Sequence, residues 1–369
     1  MKRFAAIEGL RAWLAWAVVF WHCIFMFGIH RLKPELFKLY YIGDFAVGIF
    51  IIISGFVITH LLLERKEPYR IYITRRFLRI YPAYLVCLLF GIAATHLMFS
   101  VMLQKPWGEL TPSVHSLSVQ LASLETPHGY LTHLLAHLTM LHGAIPSSIL
   151  QYSQYMFLPP AWSLSLEWQF YLIAPLVVWA CASQIGQVLV AFAALASFIA
   201  YQLGFFGDFA APSFIPGAAP LFATGIITRL IWNRLARLNA YPAGIILCLL
   251  MLLLFSIQLL PYILWLSFVL YLLLDDPKDA VSRAIKRCGD LAFNSRLAHY
   301  LGERSYTTYL IHTPVIQVCM YVALTRFNMG FWQTAALSAV VTPVVTALLS
   351  ALIYKTIEKP AINLGKRIK

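Results

Sequence analysis

Long apolar stretches alternate with short polar connections along this chain, and this pattern is typical of a polytopic membrane protein. Windows of about 20 mainly apolar residues mark helices that can cross a bilayer. We predict spans at 8–29, 41–63, 78–100, 163–183, 186–205, 214–232, 241–258, 260–274, 305–325 and 331–355. The predicted fold class is therefore all-α, a polytopic membrane bundle of about ten transmembrane helices.

Two longer polar segments interrupt this rhythm, at residues 101–162 and 275–298. The first includes an amphipathic piece, Tyr130–Ile145, which could lie in the membrane interface or dip into the bundle. We find no internal repeat and no low-complexity linker. We therefore expect residues 1–369 to form a single membrane domain with an outer loop at 101–162 and a cytoplasmic loop at 275–298.

Composition supports a membrane location. Of the 369 residues, 60% are hydrophobic and 12% are charged, whereas soluble domains carry about 25% charged residues. The mean hydropathy is +0.75. The first apolar stretch is long, contains Arg11 and lacks a small-x-small cleavage site, so we expect it to be a retained span rather than a signal peptide.

The net charge of +13 is distributed by topology. Alternate connections hold most of the Lys and Arg residues, in segments 2–3, 65–79, 229–237, 283–304 and 355–369. This positive-inside pattern predicts that both termini are cytoplasmic. We expect a multi-pass membrane protein, in contact with membrane lipids and with no nucleic-acid partner.

Cysteine and histidine patterns do not predict a metal site or a disulfide framework. The six cysteines are scattered, with no CxxC pair. His133 and His137 have the i,i+4 spacing that can chelate a metal, with His128 and His142 on either side. No cysteine, and no nearby carboxylate except Glu125, completes a ligand shell there. We therefore predict no metal.

Arg11 and His22 lie inside the first predicted span. An ionisable residue at membrane depth is costly and is therefore a candidate functional residue. Eleven residues at about 100° each make three turns plus about 20°, so both side chains project from one helical face, about 16 Å apart along the axis. This face carries a fixed cation near one membrane surface and a titratable imidazole at greater depth.

Arg75, Arg76 and Arg79 share a broad helical face at the cytoplasmic mouth of the third span, in the segment RIYITRRFLRIYPAY. One interpretation is positive-inside anchoring. The other is a phosphate clamp, because guanidinium groups match phosphate oxygens in a bidentate way.

A second polar group falls at the start of the fourth predicted span, in PPAWSLSLEWQFY. Ser163 and Glu167 share a helical face, and a carboxylate one turn into a span must pair or line a wet cavity. One interpretation is an interfacial helix start with a belt of Trp162 and Trp168. The functional alternative is that Glu167 orients a catalytic imidazole or binds acceptor hydroxyls.

Further candidates lie near the C-terminus. Tyr309 and His312 are three residues apart in SYTTYLIHTPV, so they are neighbours on one helix face. They form either hydrogen-bonded packing or part of a site. Glu358 lies beside Lys355 and Lys359, a pattern typical of an ion network at a helix end.

Seven segments together resemble the membrane-bound acyltransferase 3 family. They occur in the family's order and extend over nearly the whole chain: EGLRAWLAWAVVFWH, FIIISGFVIT, RRFLRIYPAY, WSLSLEWQFYL, LFATGI, SYTTYLIH and IEKP. The resemblance implies a ten-helix membrane enzyme, an acyltransferase for groups other than aminoacyl groups. Such enzymes move an acyl group, commonly acetyl, from cytoplasmic acyl-CoA to a sugar hydroxyl of lipopolysaccharide O-antigen, surface polysaccharide, exopolysaccharide, peptidoglycan or lipochitooligosaccharide, and sometimes to an antibiotic.

The family motifs place roles on particular residues. The R-x10-H motif falls on Arg11 and His22, and the RRxxR motif, inferred to bind acyl-CoA, falls on Arg75, Arg76 and Arg79. The SGF segment begins at Ser54. Glu8 stands where the family more often has Asp. The hydrolase domain of SGNH type that many members append is not expected here.

The resemblance implies a mechanism with acyl-CoA as a co-substrate and no permanently bound cofactor. We expect His22 to act as general base on an acceptor hydroxyl or to carry the acyl group. Arg11 would draw the acyl-CoA head toward the pore while Glu8 holds its guanidinium, and Glu167 would orient His22 or the acceptor. Supporting or substrate-binding residues are Ser54, Trp162, Ser165, Tyr309 and His312.

Two other classes of function remain open from the residues alone. A transporter or flippase of a lipid-linked glycan would also carry charges inside spans, although it often shows inverted repeats and broken helices. A non-catalytic scaffold gives no reason for the ionisable residues at membrane depth. A transporter defect changes the amount of glycan, whereas an acyltransferase defect changes only its decoration.

Overall fold

A computed structural model describes residues 4–29, 41–104, 114–237, 244, 259–274 and 277–368. Every regular element in these ranges is helical, which confirms the all-α class. Within them, a helix lies at nine of the ten predicted spans. The remaining prediction, 241–258, falls outside the described residues apart from Gly244, as do Cys248 and residues 105–113 of the outer loop.

The helices follow the apolar pattern closely. In the first half of the described chain they are α1 (Ala6–Phe25), α2 (Ile42–Glu64), α3 (Tyr69–Gln104), α4 (Val114–Glu125), α5 (Gly129–Leu138), α6 (Ala161–Ala180) and α7 (Gln184–Gln202). The second half has α8 (Ile215–Leu230), α9 (Trp232–Leu235), α10 (Leu260–Leu273), α11 (Ala280–Phe293), α12 (Arg296–Glu303), α13 (Ser305–Thr325), α14 (Phe331–Ile353) and α15 (Lys359–Arg367). A π-helical turn, Tyr354–Glu358, joins α14 to α15.

Five of these helical stretches are long and apolar enough to cross a membrane. They are Ile42–Glu64, Tyr69–Val101, Gln184–Gln202, Ser305–Thr325 and Phe331–Arg367. Two shorter apolar helices, Ile215–Leu230 and Leu260–Leu273, accompany them. Because a helix satisfies its own backbone hydrogen bonds, such segments are stable in lipid. The protein is therefore a multi-pass membrane protein.

The chain divides into two compact units, and the first comprises residues 1–18, 41–65 and 220–306. Within it α2 and α8 approach closely at glycines, because a small residue lets two helix backbones meet. A Cβ at Gly55 would lie 2.5 Å from the Phe222 carbonyl oxygen, and one at Gly225 would lie 2.1 Å from the Ile52 carbonyl oxygen. Sequence spacing alone does not reveal this contact.

In the same unit, α11 and α12 pack against the beginning of α1. A Cβ at Gly9 would lie 2.0 Å from the Phe293 carbonyl oxygen, and one at Gly302 would lie 2.0 Å from the Glu8 carbonyl oxygen. The indole Nε1 of Trp13 donates a hydrogen bond of 2.8 Å to the carbonyl of Ala292. Backbone contact thus fixes the end of α1 that carries Arg11.

The second unit comprises residues 19–40, 66–219 and 307–369. Here α15 packs along α3, and α5, in the segment predicted as the outer loop, is attached to α3 by two tyrosines. Tyr81 and Tyr84 donate hydrogen bonds to the carbonyls of Leu138 (3.1 Å) and His137 (2.9 Å). Helix α7 has no buried residue, so its apolar surface is suited to contact with lipid.

Candidate active site

Helix α1 is unbroken from Ala6 to Phe25 and carries both Arg11 and His22. The predicted partner of Arg11 is present one turn earlier, since Arg11 Nη1 lies 4.0 Å from Glu8 Oε1. The Glu8 side chain is 41% exposed, so this ion pair contributes little to stability. Glu8 therefore orients the guanidinium weakly and leaves it able to interact with a ligand.

His22 has a histidine partner on α13. Nε2 of His312 lies 3.0 Å from Nδ1 of His22, and the ring centroids are 4.7 Å apart. His312 is fully buried. A hydrogen bond between two neutral imidazoles needs one nitrogen to donate and the other to accept, so the tautomer of one ring sets that of the other. The pair can therefore hold a proton at a defined nitrogen.

Tyr309, one turn before His312, connects α13 to the start of α6. Its hydroxyl lies 2.8 Å from Ser163 Oγ and donates a hydrogen bond of 3.0 Å to the Pro160 carbonyl. The structure thus brings the Tyr309–His312 face beside the polar start of α6. Ser163 was noted in the sequence only as a neighbour of Glu167, and no spacing in the sequence connects it to Tyr309.

Arg75 is held by the chain's own acceptors. Its Nη1 contacts the carboxylate of Glu67, and its Nη2 donates a hydrogen bond of 2.8 Å to the carbonyl of Ile368. α15 approaches α3 at Gly365, where a Cβ would lie 3.7 Å from the Arg75 Cα. These contacts attach the C-terminal helix to the start of α3, so Arg75 has a structural role that its motif did not predict.

Arg76 and Arg79 lie beside polar groups of α6. Arg76 is close enough to Tyr171 and Glu167 to interact with both electrostatically, and Arg79 interacts in the same way with Tyr171. The hydroxyl of Tyr171 donates a hydrogen bond to the Glu167 carboxylate. Tyr171 was missed at the sequence level, although its i,i+4 spacing from Glu167 was a usable signal.

Ser54, Trp162 and Ser165 have different surroundings. Ser54 is buried on α2 in the first unit, and Trp162 is half-buried at the start of α6. Ser165 is fully buried, and its hydroxyl accepts a hydrogen bond of 3.0 Å from the Gly143 backbone N–H. This bond attaches the outer loop to α6, so the described contact of Ser165 is structural.

Glu358 is buried in the π-helical turn, whereas Lys355 and Lys359 are exposed. Its carboxylate accepts a hydrogen bond of 2.5 Å from Thr307 Oγ1 on α13. A π-turn inserts one extra residue into the helical repeat and often marks a functional position. The contact joins the end of the last span to the helix that carries His312.

Three histidines of the segment predicted as the outer loop form a compact buried group. The rings of His137 and His142 are stacked 4.0 Å apart, and His133 Nε2 lies 2.9 Å from Ser123 Oγ. Burial lowers the pKa of both His133 and His137 to about 4, and it lowers the pKa of His142 as well. Among the described residues, no cluster of three or more His, Cys, Asp or Glu could hold a metal ion.

Comparison with known protein families assigns the chain. The model of the acyltransferase 3 family, described as an acyltransferase domain, matches residues 4–354, nearly the whole sequence. The chain therefore belongs to this family of membrane acyltransferases. Comparison with curated proteins and with solved structures gave no match.

Proposed function

We propose that this protein is a membrane O-acyltransferase that transfers an acyl group, most simply acetyl, from cytoplasmic acyl-CoA to a sugar hydroxyl. The observation that carries the proposal is the hydrogen bond between His22 and His312. It gives the histidine of the R-x10-H motif a buried partner that can define its protonation. The proposed acceptor is a bacterial surface polysaccharide, O-antigen, exopolysaccharide or lipochitooligosaccharide.

The chemistry is a thioester-to-ester exchange. The acceptor oxygen forms a bond to the acyl carbonyl carbon while His22 takes the hydroxyl proton, and the carbon–sulfur bond then breaks. The imidazolium returns the proton to the departing sulfur, so the products are an acyl ester and free CoA. In the covalent variant, a nitrogen of His22 attacks the carbonyl first and the CoA thiolate leaves. The acceptor oxygen then attacks the acyl-imidazole, the carbon–nitrogen bond breaks, and the hydroxyl proton passes to the released imidazole.

Donor binding is proposed for the arginines. On α3, Arg76 lies near Glu167 and Tyr171 of α6, and Arg79 lies near Tyr171. CoA carries phosphates that guanidinium groups recognise. Arg11 is proposed to draw the acyl-CoA head inward. Arg75 is assigned a smaller share of this binding than its motif suggests, because Glu67 and the Ile368 carbonyl already accept its hydrogen bonds.

Acceptor binding is proposed for the other predicted site residues. Glu167 is a hydrogen-bond acceptor for sugar hydroxyls or an orienting group for His22. Trp162 offers an aromatic face on which a sugar can stack. Tyr309 positions the start of α6 through Pro160. Ser54 and Ser165 are retained as weaker supporting residues, each buried in its own unit.

The proposal includes a topology. Ten spans with both termini in the cytoplasm would place Arg75, Arg76 and Arg79 on the side where acyl-CoA is made, in the bacterial inner membrane. The residues would form one membrane domain, with a glycan or lipid-linked glycan approaching from the outer side. This arrangement needs no resident cofactor, since acyl-CoA is consumed in each cycle.

The deciding experiment compares surface and secreted glycans from the wild type, a deletion strain and strains complemented with His22→Ala or His96→Ala. Mass spectrometry would measure acyl groups that mild base removes. General-base assistance is typically worth about 10²- to 10⁴-fold in rate, so we expect His22→Ala to abolish the decoration while glycan amount stays constant. His96 is an exposed histidine on α3 and serves as the matched control.

Two other outcomes of this experiment would contradict the proposal. Wild-type acylation in the His22→Ala strain would refute the catalytic assignment. Unchanged decoration with a lower amount of exported glycan would instead support transport of a lipid-linked glycan.

A further inference from the structure

The connection between α10 and α13 contains two amphipathic helices, α11 and α12, which carry exposed apolar side chains. On α11 the exposed apolar positions include Val281, Ala284, Cys288 and Leu291. At about 100° per residue these four positions fall within roughly 80° of one another, so they form a single stripe. We call them the α11 stripe.

The opposite side of α11 faces the protein and is well packed. Ser282 is buried, and a Cβ at Gly289 would lie 2.2 Å from the Tyr271 ring. Tyr271 donates a hydrogen bond of 2.8 Å to Asp290, and Lys286 lies over the Tyr271 ring. The side of α11 that faces the protein is therefore already packed. The α11 stripe is a second face of the helix, on its exposed side.

Helix α12 continues this exposed apolar surface. Leu297 and Tyr300 are 62% and 49% exposed, and they share a helix face at i,i+3 spacing. The first span residue of α13, Ser305, follows α12 after a single residue. Because α12 ends where a candidate span begins, this pair of helices lies near the level of a membrane surface.

The charge of the segment favours an anionic partner. Residues 277–304 carry the basic residues Lys278, Arg283, Lys286, Arg287, Arg296 and Arg304. Their acidic residues already have partners in the protein: Asp279 caps α11, Asp290 bonds Tyr271, and Glu303 pairs with Arg304. Arg283, Arg287 and Arg296 are exposed, and they border the apolar surface.

We propose that α11 and α12 form a docking surface for anionic lipid headgroups at the basic side of the membrane. The apolar stripe inserts at the headgroup boundary while the exposed arginines bind lipid phosphates, as interfacial amphipathic helices do. Since Gly9 and Glu8 pack against the backbones of Phe293 and Gly302, docking would also hold the end of α1 that carries Arg11. The surface requires only the membrane location and is independent of the acyl donor and acceptor.

Cys288 permits a direct test, because it lies on the stripe and is exposed, whereas Cys23, Cys87, Cys181 and Cys319 are buried. In a Cys248→Ser background, Cys288 would be labelled with an environment-sensitive fluorophore. The whole protein would then be reconstituted in nanodiscs of phosphatidylcholine, with or without phosphatidylglycerol. The measured quantity is quenching of the fluorophore by aqueous acrylamide, a neutral quencher that charged lipid does not repel.

We expect anionic lipid to reduce acrylamide quenching severalfold, and the triple variant Arg283→Gln, Arg287→Gln and Arg296→Gln to lose that reduction. Arg326→Gln, which removes an exposed arginine at the far end of α13, should behave as the wild type. Leu291→Gln changes an exposed side chain and should raise quenching in anionic nanodiscs without altering the thermal unfolding profile. Equal, high quenching in both lipid compositions would overturn the proposal.

Discussion

Nε2 of His312 lies 3.0 Å from Nδ1 of His22, although 290 residues separate them in the sequence. The contact gives His22 a hydrogen-bond partner at Nδ1, the ring nitrogen nearer its own backbone. If His312 accepts the proton of His22 Nδ1, the basic nitrogen of the His22 ring is Nε2. The pair would then act as the orienting half of a catalytic triad does, with an imidazole in place of a carboxylate.

Removal of His312 should therefore lower turnover more than substrate binding. We expect His312→Ala to reduce kcat by about 10- to 100-fold, the equivalent of losing one buried hydrogen bond of about 1–3 kcal/mol. The KM for acyl-CoA should change little. His312→Gln introduces a side-chain amide that can still form a hydrogen bond, so it should recover part of kcat. Steady-state kinetics in nanodiscs measures both parameters. An unchanged kcat for His312→Ala would mean that the His22–His312 contact is structural and has no part in catalysis.

The three arginines of the RRxxR motif should separate by function. Arg76→Lys and Arg79→Lys keep the charge but lose the bidentate geometry of guanidinium. The loss of one charge-assisted hydrogen bond, worth about 1.5–3 kcal/mol, should raise the KM for acyl-CoA roughly tenfold or more. The measurement is initial rate against acyl-CoA concentration at saturating acceptor.

Arg75→Lys supplies the comparison within the same motif. It should lower thermal stability through the loss of its contacts with Glu67 and Ile368, and leave the KM for acyl-CoA near that of the wild type. A double-mutant cycle with Glu67→Gln should give a coupling of about 1–3 kcal/mol. A tenfold rise in KM for Arg75→Lys with unchanged stability would instead show that Arg75 binds acyl-CoA.

The sequence predicted features that depend on local periodicity. Apolar windows located α1, α2 and α13 to within a few residues, because the length of an apolar helix follows the thickness of the bilayer. Spacing also predicted the Glu8–Arg11 contact, since both residues belong to one helix. Within a helix, neighbours are a matter of three or four residues.

Local periodicity does not predict which residues of different helices are in contact. One partner of Arg75 is the main-chain carbonyl of Ile368, 293 residues away. No residue type in the sequence indicates such a contact. Ser165 looked like a polar group at a span start, yet it binds the backbone of Gly143 in the outer loop. Which helices meet depends on where small residues allow close approach, as at Gly55, and a single sequence does not pair those surfaces.

The glycine contacts at the start of α1 can be tested by adding one methyl group. A Cβ at Gly9 would lie 2.0 Å from the carbonyl oxygen of Phe293, and this contact is with backbone, which yields only if α11 moves. We expect Gly9→Ala to lower the apparent Tm in detergent by several degrees, consistent with an overpacking cost of about 1–3 kcal/mol.

Gly330→Ala is the matched control, since only Gln333 Oε1, at 3.8 Å, lies near its would-be Cβ. Because alanine is a poorer N-cap than glycine, this substitution should still cost about 0.5–1 kcal/mol, less than the overpacking expected at Gly9. If Gly9→Ala unfolded at the same temperature as Gly330→Ala, the close packing of α1 on α11 would be wrong.

The buried histidines of the segment predicted as the outer loop should make stability depend on pH. Because His133 and His137 are held neutral by burial with a pKa of about 4, the unfolded chain, with an ordinary histidine pKa of about 6.5, binds their protons first. Between about pH 6.5 and pH 4 the unfolded state therefore binds more protons, and stability falls as pH falls. Above pH 6.5 both histidines are neutral in the folded and unfolded states, so they add no pH dependence to stability.

Thermal unfolding between about pH 6.5 and pH 4 should show a smaller dependence of Tm on pH for His137→Gln than for the wild type. His128→Gln, at an exposed histidine of the same segment, should keep the wild-type slope. Identical slopes for all three proteins would mean that the buried histidines do not control acid stability.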